Sequence, residues 1–314
     1  MKKYLSFISF NLILTGTSLR LFHFNKPKIH NARNLYNIER KTILDLGSSF
    51  QNVTYYQEDD VTVVKKECFS QIKGNGPVIF LPGVDMSGLS VYPSTVRLSE
   101  TRNSYIILAG YSKDQNIEQL CNRVVEYIVK NDLTDIVLVG ESFGGLMAVK
   151  LSGTLNKRLS HVLLLNPATS YHRTFWKKNI NLGNGNISHI LFNHGPSVTH
   201  VMGSIHVMSE SHPDHVYYYI MSYFMMLFNI IVTDQTLIKR RMNSYMTPSG
   251  YDIEKFCKKM RIKTTIVVGK KDKLLPSSKE ADILKKLIRH SEVIKLEKAT
   301  HLFCWSDFDI NELI

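Results

Sequence analysis

The sequence predicts an α/β fold, a mostly parallel sheet covered by helices on both faces. Three observations lead there. Short, continuous apolar runs recur along the chain. Segments with apolar residues at helical spacing separate them. A serine flanked by glycines stands where one such run passes into a helix.

The elements follow in order. Val53–Tyr56 and Val61–Val64 are β-branched runs separated by Gln57-Glu58-Asp59-Asp60, which reads as a hairpin at one edge of the sheet. Pro77–Leu81 is an apolar run that ends at Pro82-Gly83, and Tyr105–Ala109 is a second. In Ile117–Lys130 the apolar positions Ile117, Leu120, Cys121, Val124, Val125, Tyr127 and Ile128 share one helical face. Ile136–Val139 is a strand, with a helix expected from near Gly145 through Leu155. Val162–Leu165, Thr264–Val268 and Val293–Leu296 read as further strands, and Ser277–Ile288 as a helix. Between Pro167 and Pro248 no clean strand appears. That stretch is rich in His, Asn, Met and Tyr, and reads as a helical insertion, a lid over about 167–250. Its most apolar part, Val216–Val232, is too short for a membrane span of ~20 residues.

Composition narrows the classes. Hydrophobic residues make up 44% and charged residues 21%, which excludes collagen-like, wholly disordered and polytopic membrane chains. Cys68, Cys121, Cys257 and Cys304 form no C-x-x-C pair, so a zinc ribbon or thioredoxin motif is excluded. The net charge of +12 is unevenly spread. Residues 1–44 carry eight Lys/Arg and one acid, a net of +7, and the other 270 residues carry only +5. The basic balance is therefore mainly a property of the leader. No basic stripe interleaved with aromatics stands out in the body, and nucleic acid is not an expected partner.

The leader itself has two parts. Met1-Lys2-Lys3, an apolar run from Tyr4 to Leu14 and the small residues Thr15–Ser18 describe a secretory signal over 1–18. A monotopic anchor or a buried first helix is the alternative. Residues 19–50 are basic and acid-poor, with Arg20, Lys26, Lys28, Arg33, Arg40 and Lys41 against Glu39 in the first part. This composition is that of a transit peptide or of a disordered start to a secreted protein. Entry to the secretory pathway is expected, followed by secretion or delivery to a plastid-like organelle. The remaining residues, 51–314, read as one folded domain with its insertion.

Chemistry is concentrated at Gly140-Glu141-Ser142-Phe143-Gly144. A serine on a sharp strand-to-helix turn is lifted above the strand ends, and glycines on either side remove side chains that would clash. Such a serine needs a base and a group to orient it. On a sheet of this kind the order along the chain is Ser, acid, His. Asp272 follows strand Thr264–Val268 and His301 follows strand Val293–Leu296, both at the strand ends where open sheets carry their sites. His290 lies at a helix end and reads as a cap. Asp252 falls at a helix start, a capping position, and Asp307 and Asp309 come after His301. For an oxyanion hole, the Phe143 amide is one donor. The Val84 amide is assigned as the second, with Gly83 allowing close approach, although Pro82-Gly83 also reads as a plain turn. No metal or cofactor is expected.

These residues carry a resemblance. Phe80–Asp85, Gly140-Glu141-Ser142, Leu165–Tyr171, Gly269–Asp272 and His301-Leu302-Phe303 resemble the α/β-hydrolase superfamily. More narrowly, the L-P-G-x-D and N-P-A-T-S motifs resemble the hydrolase region of plant plastid phytyl ester synthases and related esterase/lipase/thioesterase proteins. The resemblance runs from about Pro77 to Asp309 and is weakest across the insertion. The plant proteins carry a further acyltransferase portion, and these 314 residues contain no His followed five positions later by Asp, its signature.

The resemblance implies a serine hydrolase acting on esters or thioesters with a lipid-like acyl substrate, with membrane-surface contact through the lid. Two other readings remain open. One is an acyltransferase that passes the same acyl group to a lipid or isoprenoid alcohol. The other is a non-catalytic scaffold that binds a ligand. The leader makes a direct prediction. Mass spectrometry of the mature N-terminus will find cleavage near residue 18 for a secreted protein or near residue 45 for an organellar one, and a retained Met1 would overturn both.

Overall fold

The computed structural model describes residues 53–58, 61–66, 68, 76–83, 94, 98, 101–109, 117–169, 253–272, 275–299, 301 and 308–314. Tertiary contacts divide the chain into Met1–Asn52, which lies outside that set, and Val53–Ile314. The leader and residues 170–250 of the expected insertion also lie outside it.

The strands are β1 (Val53–Glu58), β2 (Val61–Lys66), β3 (Val78–Leu81), β4 (Ser104–Ala109), β5 (Ile136–Glu141), β6 (Leu159–Leu165), β7 (Lys263–Gly269) and β8 (Ser291–Leu296). The described helices are α1 (Ile117–Lys130), α2 (Phe143–Thr154), α3 (Ile253–Lys259) and α4 (Ser277–Leu287). One eight-stranded sheet results, in the order β1-β2-β4-β3-β5-β6-β7-β8. The first two pairings, β1 with β2 and β2 with β4, are antiparallel, and all the others are parallel. The hairpin pairs as far as Glu58 opposite Val61. The strands thus run on through the polar residues Gln57 and Glu58, because ladder bonds use the backbone alone.

Parallel strands buried on both faces need apolar residues at every position, and β3 and β5 are buried throughout. Their alternation sorts side chains into two cores. Ile136 and Leu138 join a cluster with Leu120 and Val124 of α1, Leu146 of α2, Cys257 of α3 and Leu284 of α4. Val137 and Val139 point the other way, toward Phe80, Leu98 and Ile310. Ile310 belongs to a 3₁₀ turn, Ile310–Leu313, in the described part of the C-terminal tail. Amphipathic α1 buries Ile117, Leu120, Cys121, Val124, Tyr127 and Ile128, the face its spacing predicts. Helix α2 is different. It buries residues Phe143–Ser152 without a break, as a helix enclosed on all sides must.

Register brings the functional strand ends to one edge. Leu81 lies opposite Gly140, Glu141 opposite Leu165, Leu165 opposite Val267, and Gly269 opposite Leu296. The chain leaves β3 for β4 on one side and returns to β5 on the other. Such a reversal is the point at which open sheets of this kind carry their sites.

The approach of α2 to β3 sets how tightly this corner closes. A Cβ on Gly144 would stand 1.8 Å from the Leu81 carbonyl oxygen, and one on Gly140 would stand 2.4 Å from the Gly144 carbonyl oxygen. The helix therefore begins at Phe143, ahead of the start expected near Gly145. Packing overrides the poor helix propensity of Gly144 and Gly145. A Cβ on Gly153, at the exposed end of the same helix, would meet no atom within 4 Å. Gly144→Ala will lower stability by about 3 kcal/mol or more, as forced overpacking against backbone does. Gly153→Ala will raise it by about 0.5–1 kcal/mol. Urea melts of both variants test the pair, and equal effects would contradict the close approach of α2 as the cause.

Candidate active site

Ser142 occupies the single residue between β5 and α2, with φ 51° and ψ −114°. For a serine this is a strained conformation, worth of order 1–3 kcal/mol. Backbone bonds hold it there. The Ser142 N–H donates to the Leu165 carbonyl at 2.9 Å, and the Ser142 carbonyl accepts from the Gly145 N–H at 3.0 Å and the Ala168 N–H at 2.7 Å. The residue is half-buried, between buried Glu141 and buried Phe143. Phe143 is the first residue of α2, so its amide lies in the turn where the helix dipole concentrates positive charge.

Asp272 and His301 meet directly. The His301 Nδ1 lies 2.7 Å from Asp272 Oδ2, and both side chains are buried. Asp272 also accepts from the Leu275 N–H at 3.1 Å and from the Ser277 hydroxyl. Ser277 opens α4, so the helix start and the carboxylate position each other. Burial alone would raise the Asp272 carboxyl, but the His301 charge and bond, with the Ser277 and Leu275 donors, bring it below the ordinary range. Burial likewise works against a charged His301. The Asp272 charge and bond, then the Glu141 charge, outweigh it and hold the imidazole above its ordinary 6.5. With Nδ1 committed to Asp272, the nitrogen left for a serine proton is Nε2.

A second buried histidine shows the opposite balance of burial and charge. His161 Nε2 lies 2.9 Å from the Thr265 hydroxyl, which donates to Glu292 at 2.6 Å. Burial first, then the Lys263 charge, pushes His161 down to about 4. It pairs opposite Lys263 at the far end of the strands from Ser142 and stays neutral. Cys121 and Cys257 are also buried, and burial pushes both thiols up to about 12, so neither offers a thiolate. Among the described residues, no group of three or more His, Cys, Asp or Glu is placed to hold a metal ion, and no helix is long and apolar enough to cross a membrane.

Of the other residues singled out from the sequence, Gly83 is buried just past the end of β3, and Val84, Asp252 and Asp307 lie outside the described residues. His290 stands beyond α4 rather than within its last turn, and its carbonyl accepts from the Thr264 N–H at 2.9 Å. Asp309 accepts from the Asn311 N–H and starts the terminal 3₁₀ turn. Sequence reasoning missed three groups at the site: Glu141, Asn166 and Ser277. Glu141 and Asn166 fall inside quoted motifs, yet nothing local marks them as polar groups destined for burial.

No family model matches the chain. No curated protein matches it by sequence either. Solved structures do match by shape. A membrane phospholipase A, a bacterial virulence factor, superposes with a TM-score of 0.64 at 14% identity, covering 100% of this chain and 96% of that one. The candidate lipase lip1 from Acinetobacter baumannii AYE has a TM-score of 0.63 at 14% identity, covering 90% and 93%. An N-acyl homoserine lactone degrading enzyme has a TM-score of 0.60 at 15% identity, covering 80% and 94%. With the strand order and the mostly parallel sheet, these neighbours establish that the chain has the α/β-hydrolase fold.

Proposed function

We propose that the protein is a serine hydrolase that cleaves ester or thioester bonds of lipid-like substrates through an acyl-enzyme on Ser142. The observation that carries this reading is the buried His301–Asp272 pair, at the strand edge where the strained Ser142 turn stands. The fold neighbours described as a phospholipase and a candidate lipase support the choice of bond and of substrate class.

In this mechanism Ser142 Oγ attacks the acyl carbonyl carbon while its proton passes to His301 Nε2. The oxyanion is held by the Phe143 and Val84 amides, with Gly83 allowing close approach. Collapse of the tetrahedral intermediate breaks the bond to the alcohol or thiol, which leaves with the proton from His301. Water then repeats the sequence on the acyl-enzyme and releases the acid. Asp272 keeps the imidazole in the right tautomer and stabilises its charged form. Residues of the 167–250 segment, rich in Met and aromatics, supply the acyl pocket and the contact with a lipid surface.

A fluorophosphonate probe will label the wild-type protein and spare Ser142→Ala, and hydrolysis of a p-nitrophenyl ester will fall by about 10⁴-fold in that variant. A wild-type protein that resists the probe as fully as Ser142→Ala would leave only a binding module. An acyl donor offered with water and with a long-chain alcohol separates hydrolysis from acyl transfer by product.

The His301 shift fixes the sign of the pH dependence. The base must be neutral, and its pKa lies above 6.5, so kcat/KM will rise with pH through a midpoint above 6.5. Glu141→Gln removes one of the charges that raise it, and the midpoint will move down. An unmoved midpoint in Glu141→Gln would show that this carboxylate does not act on His301.

A further inference from the structure

Asn166 is a buried polar side chain at the site to which the proposed mechanism gives no role. Asn166 follows β6 directly, is fully buried, and has φ 40°. Few side chains tolerate that left-handed backbone, and Asn is one of them. Its amide spans two loops. Nδ2 donates to the His301 carbonyl at 2.8 Å, and Oδ1 accepts from the Gly269 N–H at 2.9 Å. Gly269 ends β7, three residues before Asp272. The loop carrying the acid and the loop carrying the histidine are thus tied to the two ends of one side-chain amide. The Asn166 N–H donates to the Val267 carbonyl at 3.0 Å, so the amide is anchored to the sheet.

The neighbours of Asn166 extend the same connection. Leu165 and Ala168 bond the backbone of Ser142 from either side. Pro167 sits so close to α2 that a Cβ on Gly145 would come within 2.6 Å of its ring. The Thr169 hydroxyl donates to Glu280 of α4 at 2.5 Å, on the helix whose first residue donates to Asp272. The stretch Leu165–Thr169 therefore touches the serine turn, the acid loop and the histidine loop.

We propose that Asn166 is a positioning residue that sets the His301 backbone against the acid loop, and so holds the imidazole in line between Asp272 and Ser142. This rests on His301 being the general base. The side chain does not reach the reacting atoms. Its effect is transmitted through the His301 carbonyl, where a misplacement of about 1 Å can cost ~10²-fold in rate.

Two variants test it. Asn166→Gly keeps the left-handed backbone and removes both bonds. Asn166→Asp keeps the shape and the acceptor for Gly269 but sets an acceptor against the His301 carbonyl. Thr265→Val, which breaks the hydroxyl contacts to His161 and Glu292, serves as a control for stability lost elsewhere in the sheet. Both Asn166 variants will lose ~10²-fold in kcat on a p-nitrophenyl ester with KM changed less than about threefold, whereas Thr265→Val will keep wild-type kcat. NMR titration supplies a readout independent of turnover. The His301 ring, assigned by its loss in His301→Gln, will titrate closer to 6.5 in Asn166→Gly as its hold on Asp272 loosens. An Asn166→Gly protein whose His301 titrates as in the wild type overturns the positioning role, as does an Asn166→Asp protein with wild-type kcat. Failure of the wild type to label with a fluorophosphonate would refute the hydrolase reading instead. In that case the NMR comparison still decides the role of Asn166.

Discussion

The structure depends on how closely α2 approaches the ends of β3 and β5. With no Cβ at Gly140 or Gly144, the first turn of α2 closes onto the Leu81 and Pro82 carbonyls. That closeness leaves one residue to turn the chain from strand to helix, and Ser142 takes a backbone conformation that a free serine would avoid. The strain is offset by the bonds its backbone makes with Leu165 and Ala168 and by burial of nearly the whole of α2.

The electrostatics follow from where the parallel strands end. Strands β3 to β8 share one direction, so the strand ends that lead to Ser142, Asp272 and His301 lie along one edge over an apolar core. In such a setting burial pushes an imidazole toward its neutral form, and the balance of charges around it decides whether that holds. His161 and His301 illustrate both cases within one chain. The first is driven down by burial and then by the Lys263 charge, which outweighs the opposing Glu292 charge, and the second has Asp272 and Glu141 and is held up against burial. The difference is the charge of the neighbours, not the depth of burial.

The loops that carry Ser142, Asp272 and His301 come from widely spaced parts of the chain, and they have to agree in position for the pair to work with the serine. The Leu165–Thr169 stretch links them through backbone and side-chain bonds that are almost all buried. Each unmet bond in that environment would cost about 1–3 kcal/mol, so the three loops are not free to move independently. Preorganisation of this kind is what allows a site to act without rearranging at each turnover.

The sequence by itself determined the elements and the chemistry on offer. Apolar runs of strand length, the helical face of Ile117–Lys130 and the glycines around Ser142 are local signals, because period and steric need are local properties. The order Ser142, Asp272, His301 could be read from chain order against strand ends. The start of α2, the extension of the hairpin to Glu58 and the burial of Glu141 and Asn166 could not. Each is decided by a contact with residues distant in the chain or across the sheet: Leu81 for Gly144, Val61 for Glu58, Leu165 for Glu141, and His301 with Gly269 for Asn166. An asparagine beside a proline looks like a turn residue in any sequence. Only the parallel register, which stacks the ends of β5, β6 and β7 along one edge, turns it into the amide that joins the acid loop to the histidine.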